Sequence, residues 1–151
     1  MIDKIISAEK AVEGIQDGMT VMIGGFLGTG TPEILIDALV AKGVKHLKVI
    51  ANDGGLPEGA YDAKTARGVG KLLEKGMIDH IVASHVGMNP LIGDGMIAGT
   101  LKCTLVPQGT LAEKIRAGMK KFEQKPEEDA DGAGKDNASE ATGGENGGEN
   151  G

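Results

Sequence analysis

Four short β-rich runs, at 20–23, 47–51, 79–84 and 101–106, alternate with helical or glycine-rich stretches, and this alternation limits the fold more than any other feature. Runs of this kind, bounded by turn residues, suit buried parallel strands, and parallel strands need crossover connections of a dozen or more residues. Right-handed βαβ units follow, so the expected class is α/β: an open, mostly parallel sheet with helices on both faces.

The helical stretches have their own punctuation. Ser7 can cap a helix over 8–16, with Ala8, Ala11, Val12 and Ile15 at helical spacing before Asp17 and Gly18 close it. Thr31 can cap a second helix with Pro32 in its first turn, Ile34, Leu35, Ala38 and Leu39 inward, and Gly43 as its end. A third reads over 66–75, weakened by Gly68 and Gly70, and a fourth over 110–117. Residues 52–64 and the segment through Asn89, Pro90 and Gly93 to Gly95 read as loops.

Charge divides the chain in two. Between Lys120 and Gly151 there are nine acidic and four basic residues, so this part carries -5 of the formal -6. With almost no apolar side chain after Phe122 it cannot offset its chain entropy by burial, and 119–151 is expected to be a disordered acidic tail behind a domain at 1–118. The nearly neutral domain is not a surface for nucleic acid or anionic membrane. No apolar run reaches the length of a membrane span or export signal, and one cysteine, Cys103, excludes an internal disulfide; a cytoplasmic protein is expected. Cys103 lies mid-strand, where a small core side chain belongs.

In parallel sheets ligands meet the carboxyl ends of strands, here the loops that begin at Gly24, Asn52, Ser84 and Pro107. The densest signal is in the first, Val21 to Pro32, where a strand enters a loop with four glycines and then a helix start. Glycines let backbone N–H groups approach a ligand closely, and the helix start adds positive potential. A dinucleotide loop would use Gly28 and Gly30 as its first two glycines, with Asp53 as the ribose acid, but Glu33 occupies the third glycine position. A P-loop lysine is absent.

Read with its flank, the stretch Asp17-Gly18-Met19-Thr20-Val21-Met22-Ile23-Gly24-Gly25-Phe26, followed by Gly28, Gly30 and Pro32, closely resembles the signature of family I CoA-transferase A subunits. Further segments agree in order: Ile-Ala-Asn-Asp from Ile50, Gly-Val-Gly-Lys-Leu-Leu from Gly68, the ten residues from Ile81 to Pro90, and Leu105 to Gly118. Within that family the resemblance is to acetate/acetoacetate and butyrate/acetoacetate CoA-transferases. The resemblance implies the family's Rossmann-like fold, incomplete here at its C-terminus, because A subunits continue with further glycine-rich loop, strands and helices.

It also implies that Gly24, Gly25, Phe26, Leu27, Gly28, Thr29 and Gly30 line the CoA side of an active site, their amides acting like an oxyanion hole. Asn52, Asp53, His85, Gln108 and Gly109 are expected on the substrate side. The nucleophile implied is a glutamate in a Ser-Glu-Asn-Gly motif of a B subunit, giving a hetero-oligomer of A2B2 type. CoA would move between acetyl-, butyryl- or succinyl-CoA and a 3-oxo acid such as acetoacetate, with the thioester as substrate and no cofactor or metal. Glu145-Asn146-Gly147 and Glu149-Asn150-Gly151 echo part of that motif but lack the serine and a supporting strand. A catalytically inactive CoA-binding or scaffold subunit, and a nicotinamide-binding module, are the alternatives.

Overall fold

The structure, a computed structural model, describes residues 5–123. Its elements in chain order are α1 (Ala8–Val12), β1 (Thr20–Ile23), α2 (Glu33–Lys42), β2 (Leu47–Ala51), α3 (Val69–Glu74), β3 (Ile78–Ala83), α4 (Pro90–Ile97), β4 (Lys102–Leu105) and α5 (Gln108–Glu123). The four strands pair in parallel in the order β1-β2-β3-β4, so the α/β class holds.

That order has a geometric consequence. Each strand is added on the same side of the last, so right-handed crossovers place every connecting helix on one face. Helices α1 to α4 accordingly form one layer, packed in series. Among the described residues the opposite face receives only α5, through Leu111, Lys114 and Ile115. Helices do lie on both faces, but very unequally.

Register sorts the side chains. Val21, Val49, Ile81 and Cys103 stand in one row across the sheet beneath the helix layer. Val49 and Ile81 are fully buried there with Leu47, Leu72 and Ile92. Removing each such side chain from water is worth about 1.5–3 kcal/mol, which makes this row the stabilising centre of the domain. Cys103 is half-buried against the same core, and burial pushes its thiol pKa up. The next row, Met22, Ile50, Val82 and Thr104, faces the thinly covered side, and Met22 remains 60% exposed.

Several local expectations need correction. The first helix stops at Val12, where the Lys42 ammonium takes the Val12 carbonyl at 3.0 Å and also those of Glu13 and Ile15, closing its end. Thr31 does not cap α2: Pro32 is the N-cap, and the Thr31 methyl packs against Gly68 instead. The segment expected to be a loop around Gly93 to Gly95 is helix α4. Its cap explains why: Asn89 Oδ1 accepts the Leu91 amide at 3.1 Å, with Pro90 in the first turn. The loop at 52–64 contains a short 3-10 turn, Ala60–Asp62. Helix α5 runs past Gly118 to Glu123, and the rest of the acidic tail, with its two Glu-Asn-Gly triplets, lies outside the described residues.

Candidate functional site

The glycine loop closes β1 onto itself at Phe26–Thr29. The Phe26 amide donates to the Thr29 carbonyl at 2.9 Å and the Thr29 amide returns a bond to Phe26 at 2.8 Å. Both central residues have positive φ, 49° at Leu27 and 81° at Gly28, the pattern of a type I′ turn. Glycine takes that conformation freely, whereas leucine is strained in it by about 1–2 kcal/mol. Asp53 holds Leu27 there, its Oδ2 accepting the Leu27 amide at 2.9 Å while Oδ1 accepts the Gly55 amide at 2.6 Å.

These bonds divide the loop's amides into two sets. Those of Phe26, Leu27 and Thr29 are committed to the fold, which corrects the expectation that the whole stretch offers donors to a ligand. The amides of Gly24, Gly25, Gly28 and Gly30 donate to no acceptor among the described residues. Beneath the loop is a cavity of only about 10 Å³, lined by Gly24, Gly25, Thr31 and Asp53 among others. It has room for about one water molecule, so a larger ligand must be met on the outer side.

Asp53 is 5% exposed, and both its oxygens serve the loop. Buried beneath the loop and bonded through both oxygens, it does not stand open to a ribose hydroxyl, which weakens the main support for a nicotinamide site. Its place is under the glycine loop, where it holds the Leu27 and Gly55 amides.

Asn52 lies beside it at the same strand end and ties three loops together. Its Nδ2 donates to the Gly25 carbonyl at 2.9 Å, and its Oδ1 accepts from Gln108 Nε2 at 2.9 Å. The Asn52 carbonyl accepts the amides of Ser84 at 3.0 Å and His85 at 3.1 Å. The Ser84 hydroxyl lies within donating distance of both the Asn52 carbonyl, at 2.9 Å, and Gln108 Oε1, at 2.5 Å, with one proton for the two acceptors. Gly25, Asn52, Ser84 and Gln108 thus form one hydrogen-bonded line across the carboxyl ends of all four strands.

His85 bridges backbone to backbone with Asp53, and its exposed imidazole has no hydrogen-bond partner among the described residues. Gly109 opens the first turn of α5 with empty space around it. Ser84 entered the sequence reading only as a strand end; its part in the line depends on strand order, which no local pattern reveals. On the helix side of the loop, Lys71 lies 2.7 Å from Glu33 and 2.6 Å from Asp37. Burial opposes the Lys71 charge, but hydrogen bonds to Asp37 and Glu33 outweigh it and raise its pKa. Among the described residues no three His, Cys, Asp or Glu side chains converge as a metal site would require. No helix among them is long and apolar enough to cross a membrane.

The model of the family described as coenzyme A transferase matches residues 5–127. The chain belongs to the coenzyme A transferase family. Over 118 residues it is 42% identical to the acetate CoA-transferase subunit alpha of Escherichia coli (strain K12), covering 78% of this chain and 50% of the relative. It is 43% identical over 118 residues to the acetoacetyl-CoA:acetate/butyrate CoA transferase alpha subunit of Clostridium acetobutylicum, with the same coverage of 78% and 50%. The chain spans about half the length of these curated relatives. Among solved structures, an acyl-CoA transferase from E. coli O157:H7 in thioester complex with CoA matches with a TM-score of 0.58 and 28% identity, over 74% of this chain and 22% of that one.

Proposed function

We propose that this chain forms the CoA-facing part of an A-type CoA-transferase subunit, which moves CoA between short-chain acyl-CoA and a 3-oxo acid such as acetoacetate. The observation that carries the reading is the set of unpaired amides at Gly24, Gly25, Gly28 and Gly30, held open by Asp53 and Asn52 at a strand end. Such donors suit the oxyanion that develops when a thioester carbonyl is attacked.

The nucleophile comes from a second subunit in this reading. Asp53 is the only buried carboxylate among the described residues, and it is occupied by backbone amides. A glutamate of a B subunit would attack the acyl-CoA carbonyl and expel the CoA thiolate, giving an acyl-glutamyl anhydride. The thiolate attacks the glutamyl carbonyl, releasing the first acid and leaving a glutamyl-CoA thioester; the second acid then reverses both steps. The amide line from Gly25 to Gln108 keeps the loop in one geometry through these changes of charge. The thinly covered sheet face and the alpha-subunit names of the relatives support a partner chain.

Co-expression with a B subunit tests the proposal. Labelled acetate or acetoacetate should enter acyl-CoA only when both chains are present. A stable assembly that exchanges no label would sink the transfer reading, and CoA binding without exchange would select a CoA-binding scaffold in its place.

A further inference from the structure

Arg67 is the one cation that lies against the glycine loop without a carboxylate partner among the described residues. A methyl group built on Gly28 would stand 2.8 Å from Arg67 Cβ and 3.1 Å from its Cδ, so the side chain runs directly over the turn. Its backbone is pinned independently: the Arg67 amide donates to the Leu56 carbonyl at 2.8 Å and the Leu56 amide to the Arg67 carbonyl at 3.1 Å. Together Gly28, Glu33, Thr65, Ala66, Arg67 and Lys71 bound an open cleft of about 270 Å³.

The charges in this cleft are unequal in their commitments. Glu33 gives one oxygen to the Gly68 amide at 2.8 Å and the other to Lys71 at 2.7 Å. Lys71 is shared between Glu33 and Asp37. The exposed Arg67 side chain is left uncompensated on a cleft that Gly28 also bounds, and the Gly28 amide is unpaired. A planar fork of donors next to a free backbone N–H group is an oxyanion receptor.

We propose that Arg67 is a substrate-binding residue that takes an oxyanion together with the amide of Gly28. The group is a phosphate of CoA or the carboxylate of the acid, which share this chemistry. The proposal rests on the CoA-transferase reading and adds a ligand contact to it. Because the main chain at Arg67 is held by Leu56, the side chain can be changed without dismantling the loop.

The test uses Arg67→Gln and Arg67→Lys in the assembly with a B subunit, alongside denaturation curves that should match wild type. Arg67→Gln is expected to raise one KM at least tenfold, and Arg67→Lys less, because lysine keeps the charge but loses the fork. A rise confined to acyl-CoA, and absent with acyl-pantetheine, assigns the phosphate; a rise confined to the acid assigns the carboxylate. Both KM values staying within twofold of wild type overturns the proposal while leaving the transfer reading intact. If wild type shows no exchange, the transfer reading fails, and titration of the chain itself with inorganic pyrophosphate and with acetoacetate decides. Binding lost in Arg67→Gln upholds the oxyanion contact; equal binding, or none in wild type, overturns it.

Discussion

Asp53 holds the Leu27 amide at 2.9 Å, joining the end of β2 to a strained turn 26 residues earlier in the chain. A second amide, that of Gly55, occupies its other oxygen. Asp53→Asn replaces one acceptor by an NH2 group that must face an N–H donor in a buried place. The expected loss is about 1–3 kcal/mol, the usual cost of an unsatisfied buried polar group. Denaturant titration measures it, and a change below half a kcal/mol would contradict this account.

Gly70 shows how close α3 comes to the loop after β2. A side-chain carbon there would lie 2.2 Å from the Leu56 carbonyl oxygen, with the backbone unable to yield. Gly70→Ala should therefore cost more than about 3 kcal/mol or prevent folding, at the top of the range for single substitutions. Gly14→Ala is the control, because nothing lies within 4 Å of a carbon added there, and it should stay within about 0.5 kcal/mol of wild type. Thermal denaturation of the two variants side by side provides the comparison.

The same glycines mark the limit of what the sequence disclosed. All four strands were legible, because β-rich runs ending in glycine or polar residues carry a local signal. Gly68 and Gly70 looked like weaknesses in a helix, since their requirements arise from neighbours, Thr31 for Gly68 and Leu56 for Gly70, that only tertiary structure supplies. Helix α4 was hidden by Gly93 and Gly95, and its cap Asn89 gains much of its purpose from the Gly54 carbonyl, which it bonds at 2.7 Å. In the candidate site, the glycine loop and Asn52, Asp53 and Gln108 could be named from pattern and resemblance. Which amides are free could not, because that depends on the Asp53 bond to Leu27. Arg67 passed unnoticed for a similar reason: it is remote from Gly28 in sequence and reaches it only through the Leu56 pairing.

Asn52 should be more costly to function than to stability. Asn52→Asp keeps an acceptor for Gln108 but turns a carboxylate oxygen toward the Gly25 carbonyl, where a donor stood. The repulsion displaces the Gly25 amide from its position at the strand end. A loss of roughly 10- to 100-fold in kcat/KM is expected for misplacement on this scale, with a small change in denaturation midpoint because Asn52 is only half-buried. Isotope exchange in the assembly with a B subunit, set beside a melting curve, separates the two effects.

His80 gives the fold a pH dependence that follows from register. Parallel pairing sets Lys48 and Lys102 directly beside it on either hand, and its Nε2 meets Thr104 Oγ1 at 2.8 Å. Burial first, then the charges of Lys102 and Lys48, lower its pKa below the ordinary 6.5. Between 6.5 and the lowered value the unfolded chain holds more protons than the folded one, so folding is opposed by acid. The contribution is fully present above the ordinary histidine value and is lost as pH falls through the folded one. The wild-type denaturation midpoint should therefore drop on acidification from pH 7.5 to 5.5, and His80→Gln, which keeps a polar partner for Thr104, should drop less. Lys102→Ala should recover part of the difference, though only part, because burial is the larger cause. An NMR titration of the His80 ring reads the same quantity directly, and an apparent pKa at or above 6.5 would show that the neighbouring lysines do not act on it.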